Sequence, residues 1–92
     1  MLGDVVLPNT MPLYMDVHKG VDGSMEDVVA AHQLDLETQE EYGVEYKRYW
    51  VDPSTGTVFC LFEGPNKEAG IKVHEKAHGL TAEEVFEVEE GE

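Results

Sequence analysis

The 92 residues predict an α+β fold in which two helices lie on one face of a four-stranded antiparallel sheet. Three observations carry that expectation. Segments alternating with period two open and close the chain, and two stretches at helical spacing each have their own start and stop residues. A turn-rich Asp52-Pro53-Ser54-Thr55-Gly56 divides two runs of β-branched and aromatic residues. The length suits one domain, residues 11–92. Residues 1–10, with Val5-Val6-Leu7 before Pro8, stand outside it as an N-terminal leader or a short extra strand.

From Pro12 to His18 the chain alternates, with Leu13, Met15 and Val17 on one side and Tyr14, Asp16 and His18 on the other. That is the pattern of a half-buried strand. Gly20 to Gly23 makes a turn. Ser24, with Asp27 three residues on, has the form of a capping box, which satisfies end N–H groups that a helix cannot. Behind it Met25, Val28, Val29, His32 and Leu36 form the expected buried stripe, while Glu37, Glu40 and Glu41 face water. Gly43 ends the helix as a left-handed cap. Val44 to Val51 is the second strand. The Asp-Pro-Ser-Thr-Gly turn joins it to the third, Thr57 to Phe62, as a hairpin. Gly64-Pro65 opens the second helix, with Pro at the first position, where its missing N–H costs nothing. Gly70, Val73, His74 and Ala77 are its expected buried face, and Gly79 closes it. Glu83 to Glu89 alternates again, with Val85 opposite in sense to Phe86 and Val88. Its acidity suits a sheet edge.

Strand, helix, strand, strand, helix, strand is the split-βαβ or ferredoxin-like order, βαββαβ. The right-handed crossover rule fixes the hand of both units. One sheet face is left uncovered, and Tyr14 with members of the Tyr46, Tyr49 and Trp50 group are expected on it. A half-apolar open face asks for a partner. Two copies packed sheet to sheet would make a dimeric α+β barrel, so a homodimer is expected.

Twenty acidic against six basic residues give a net charge of -14. Such a chain repels phosphate backbones and anionic lipid and attracts cations; no nucleic-acid or membrane partner is expected. Cys60 is the only cysteine, so an internal disulfide is excluded. Within Val58-Phe59-Cys60-Leu61-Phe62 it reads as a small buried hydrophobe. No apolar run reaches membrane-spanning length, and Met1-Leu2-Gly3-Asp4 lacks the basic opening of a secretory signal. A soluble cytoplasmic protein is the expectation.

The four histidines carry the chemistry. His74 and His78 are four apart on the second helix and leave the same face. The topology runs the first strand and the second helix in the same sense, so His18 and His78 share one pole, with His74 a turn below. Asp22, Glu26, Asp27 and Glu83 also belong to that pole. Imidazole with carboxylate suits a borderline divalent metal. Each residue also has a plainer reading. His78 complements the negative end of its helix, and His32 is a core histidine bonded to a carbonyl. Asp35 either orients the His32 ring or is an exposed helix acid. No phosphate loop, His-Glu-x-x-His run or paired thiol is present. A Tyr14, Asp16, His18 row on one strand face is a candidate for acid–base work in a barrel cavity.

Met11-Pro12-Leu13-Tyr14-Met15-Asp16-Val17-His18 and Ala31-His32-Gln33-Leu34-Asp35-Leu36 resemble the opening of a family of small bacterial proteins. Arg48-Tyr49-Trp50-Val51-Asp52 and Gly56-Thr57-Val58-Phe59-Cys60-Leu61-Phe62-Glu63 resemble its hairpin. Val73-His74-Glu75-Lys76-Ala77-His78-Gly79-Leu80 resembles its second helix. The family was first catalogued as a domain of unknown function and later described as nickel-binding ferredoxin-like proteins. The resemblance runs from Met11 to about Glu90. It implies a homodimer that binds nickel and serves nickel sequestration or detoxification without catalysis. Its matching positions imply His18, His74 and His78 as ligands, then His32, and after them Asp35 and Glu75. The ten-residue leader departs from the family's usual start. Two other functions compete: a dimeric α+β barrel enzyme with His18 or His32 as general base, and a small-ligand module without metal.

Overall fold

The computed structural model describes residues 11–21 and 24–91. The expectations for residues 1–10 and for Asp22 and Gly23 lie outside those residues. The elements follow the expected order: β1 (Leu13–His18), α1 (Met25–Thr38), β2 (Glu45–Asp52), β3 (Thr57–Glu63), α2 (Lys67–Ala77) and β4 (Glu84–Val88). A short 3₁₀ turn, Gln39–Tyr42, extends α1 to Gly43, whose φ of 69° closes it in the left-handed region. The sheet is antiparallel in the order β2-β3-β1-β4. This is the ferredoxin-like α+β arrangement, with β4 at an edge as its acidity implied.

Local signals explain the boundaries. Ser24 and Asp27 form the capping box, with the Asp27 N–H donating to Ser24 Oγ at 3.2 Å and the Ser24 N–H to Asp27 Oδ2 at 3.0 Å. At α2 the cap is Asn66, whose side-chain oxygen accepts from the Ala69 N–H at 2.9 Å. The helix therefore begins at Lys67, and Pro65 precedes it rather than standing at its first position. A side-chain acceptor satisfies an end N–H, which is a stronger start signal than Pro alone.

Two expectations about burial are overturned. In β1 the side carrying Tyr14, Asp16 and His18 is the covered one; all three are buried, while on the other side Leu13 and Met15 are partly open and Val17 is buried. Tyr46 is likewise buried, so Tyr14 and Tyr46 belong to the core, not to the open face. A bulge between Tyr46 and Arg48 supplies the reason on β2. One extra residue puts Tyr46 and Tyr49, three apart, on the same face, opposite Phe62 and Cys60 of β3. The stripe of α1 is also displaced. Met25, Val29 and Leu36 are exposed, and the buried residue is Asp35. The helix is rotated so that this acid meets two imidazoles, described below.

The apolar core sits towards the start of β1. Phe62 is fully buried, stacked on Tyr14 with ring centres 5.3 Å apart and near Tyr46 at 5.1 Å. Val44, Ala69 and Val73 close around it. Burying a ring of this size stabilises the fold by about 3 kcal/mol. Gly70 lets α2 approach β3 here, because a Cβ would run into the Phe62 ring. The open face carries Trp50, Phe86, Leu13, Met15 and Leu61, with Trp50 47% and Phe86 49% exposed.

Candidate metal centre

At the other end of the covered face the core turns polar. Asp16, His18, Asp35 and His74 are all buried there. Alternation along β1 aims Asp16 and His18 inward together. The β1–β3 register sets Asp16 beside Cys60 and His18 beside Val58. His74 and His78, one turn apart, come in from α2, and Asp35 from α1.

His74 lies at the centre. Its Nδ1 is 2.8 Å from Asp35 Oδ1 and its Nε2 is 2.9 Å from Asp16 Oδ2. Tyr46 Oη lies 3.0 Å from the same Nε2 and donates to either Asp16 Oδ2, at 3.2 Å, or the Gly70 carbonyl, at 3.1 Å. His78 Nδ1 accepts from the Leu80 N–H at 3.0 Å, so its proton sits on Nε2, which donates to Asp35 Oδ1 at 3.0 Å. His18 Nε2 is 3.1 Å from Asp16 Oδ1. Asp16 Oδ1 is buried and makes no hydrogen bond, although the His18 ring stands beside it.

The electrostatics follow. Burial opposes charge on His74, but hydrogen bonds to Asp16 and Asp35 and their negative charges outweigh it and raise its pKa to about 9. Burial likewise works against the Asp16 carboxylate, yet His18 and His74 hold its pKa at about 2. Asp35 is lowered for the same reason by His74 and His78. Without a metal, His74 is an imidazolium held between two carboxylates. Burial, and then the charges of Asp16 and Asp35, push the Tyr46 hydroxyl far up and keep it neutral.

Among the described residues two groups have donor atoms that all lie within 4.8 Å of one another: Asp16, His18, Cys60 and His74, and Asp35, His74 and His78. The first fits a cation. Metal–ligand bonds of about 2.1 Å at right angles set neighbouring donors about 3 Å apart. The separations of Asp16 from His18 and His74, 3.1 and 2.9 Å, match that. A buried carboxylate oxygen without a partner is costly, and a cation would satisfy it. Asp35 then accepts from His74 Nδ1, which leaves Nε2 free to ligate. A histidine ligand usually has such a carboxylate behind it.

The topology thus brings His18, His74 and His78 to one pole. Asp35 joins them, but as the partner of His74 and His78 rather than of His32. His32 stands apart from both groups. Its ring packs on Tyr49 at 4.5 Å, its Nδ1 is buried and unpartnered, and burial lowers its pKa. Glu75 is exposed. Sequence reasoning missed Asp16 as a donor and read Cys60 as packing. The signal was present, since Asp16 shares the inward face of His18 two residues on. A cavity of ≈ 40 Å³ adjoins the cluster, lined among others by His18, His32, Asp35, Cys60, His74 and His78.

Comparison with known proteins agrees with the resemblance noted in the sequence. No curated protein matches the chain. The crystal structure of SCO4226 from Streptomyces coelicolor A3(2) matches with a TM-score of 0.80 and 41% identity, covering 87% of this chain and 99% of that one. The family described as nickel responsive protein SCO4226-like matches residues 14–88, from the start of the inward row on β1 to the end of β4, and the chain belongs to that family.

Proposed function

We propose that this protein is a non-enzymatic nickel-binding protein of the cytoplasm that works as a homodimer in nickel sequestration or detoxification. The observation that carries the reading is the buried, unpartnered Asp16 Oδ1, with the ring nitrogens of His18 and His74 about 3 Å from the same carboxylate. His18, His74 and Asp16 hold the ion. Asp35 orients His74, and His78 anchors Asp35. His32 stays at the cavity wall. The nickel responsiveness printed for the family supports the choice of metal. The donor set alone does not select nickel, since copper binds such sites more tightly.

The net charge of -14 supports cation uptake and disfavours nucleic acid and anionic membrane. Among the described residues no helix is long and apolar enough to cross a membrane. The half-exposed Trp50 and Phe86 support the homodimer.

Calorimetric titration of the untagged, metal-free protein with nickel tests the reading. Saturable binding is expected, lost in His18→Ala and in His74→Gln, with circular dichroism confirming the fold of each. Unchanged binding in both variants would remove the assignment.

A further inference from the structure

We propose that Cys60 is a thiolate ligand of the same ion, which makes the centre a mixed nitrogen, oxygen and sulfur site for borderline and soft transition metals. The proposal rests on the metal-binding reading above and goes beyond it in the donor set and in the class of metal accepted. Direct pairing of Asp16 with Cys60 across β1 and β3 sends both side chains to the covered face, side by side. The thiol is buried, and its sulfur lies within 4.8 Å of the donor atoms of Asp16, His18 and His74. Two further observations point to an occupant at this place. Asp16, only 1% exposed, has an oxygen with no partner, and the ≈ 40 Å³ cavity is bounded by Cys60, His18 and His74 together. That volume admits an ion with a water molecule or two.

For the Cys60 thiol, burial first, and then the charge of Asp16, favour the protonated form while no cation is present. A divalent cation reverses that balance by supplying the positive charge that both groups lack. On binding, the Cys60 S–H bond breaks, a sulfur–metal bond forms and the proton leaves to solvent. Sulfur stays at the thiol oxidation level, so no oxidant is needed. Thiolate favours transition metals, whereas magnesium and calcium require shells of oxygen.

Metal-free full-length protein, kept reduced, is titrated with nickel alone while heat and near-ultraviolet absorption are followed together. A thiolate-to-metal charge-transfer band saturating at the same metal ratio as the heat is expected, with no heat from magnesium. Cys60→Ser should abolish the band and weaken nickel binding by about tenfold or more. Heat without a band in the wild type would overturn the role of Cys60 and leave the metal-binding reading standing. Absence of heat in the wild type would bring both down. The wild-type band decides the matter even if Cys60→Ser fails to fold.

Discussion

The two faces of the sheet are built on opposite terms. The covered face buries two carboxylates and two imidazoles, Asp16, Asp35, His18 and His74, at one end of an otherwise apolar core. The uncovered face displays Trp50 and Phe86, with Leu13, Met15 and Leu61 between them. Hydrophobicity alone would have turned β1 the other way round. What holds it is mutual compensation, because each buried charge meets an opposite one supplied by another element. The open face needs no such compensation, only a second apolar surface. The lesson is that strand orientation here is decided by partners arriving from α1 and α2, not by the strand.

Removing one partner should break the covered face most severely. Asp16→Ala strips the His74 imidazolium of one of its two carboxylates and leaves the ring nitrogen facing a void. Loss of one member of a buried pair costs about 3–5 kcal/mol. Urea unfolding of the metal-free variant is expected to show a loss of that size. A loss below about 1 kcal/mol, the range of an exposed pair, would mean that the cluster is solvated and the contrast between the faces is false.

The same cluster should give the metal-free protein an unusual pH profile. The pKa of Asp16 falls from 3.8 to about 2, so its contribution is present above 3.8 and disappears as pH falls towards 2. The pKa of His74 rises from 6.5 to about 9, so its contribution is complete below 6.5 and is lost as pH climbs through 9. Stability is therefore expected to be greatest between about pH 4 and 6.5 and to decline on the alkaline side. Metal binding needs the neutral ring, so nickel affinity should rise over the interval in which metal-free stability falls. Melting temperatures with and without nickel between pH 6 and 9 measure both slopes. Parallel slopes would sink the assignment of His74 as a ligand.

On the open face the expected effect is on assembly rather than folding. Trp50→Ser with Phe86→Ser removes two large side chains, each contributing about 2 kcal/mol when buried by a second copy. Sedimentation should show the wild type as a dimer and the double variant as a monomer, with little change in the unfolding of the isolated chain. A double variant that stays dimeric would place the interface elsewhere. The exposed Met25, Val29 and Leu36 of α1 would then be the next surface to alter.

Much of this was legible in the residues. The six elements, the edge position of β4 and the meeting of His18, His74 and His78 followed from caps, turns and topology. What could not be read was which side of an alternating strand faces the helices. Leu13 and Met15 looked buried along with Val17, which is buried, because a single strand does not reveal the charges waiting opposite. Asp35 was named as a candidate but tied to His32, since α1 alone does not show that His74 and His78 arrive opposite it. The bulge at Lys47, which turns Tyr46 inward, has no marker in composition. Its effect appears only when β2 is laid against β3.

Gly70→Ala should have a smaller effect but tests how the two ends of the covered face are coupled. The added methyl runs into the Phe62 ring, and overpacking of this kind costs about 1–3 kcal/mol. Relief requires α2 to move away from β3. His74 is one turn further along that helix and hangs on distances of 2.8 and 2.9 Å to Asp35 and Asp16. Gly70→Ala is therefore expected to lower both the unfolding free energy and the nickel affinity, although residue 70 offers no side-chain donor. Phe62→Leu in the same chain makes room for the methyl and should restore part of both, a non-additivity expected of residues in contact. Stability lost with nickel affinity unchanged would show that the apolar end and the metal end are independent. Loss of both, with joint recovery in the double variant, would show that the approach of α2 to Phe62 positions His74 for the ion.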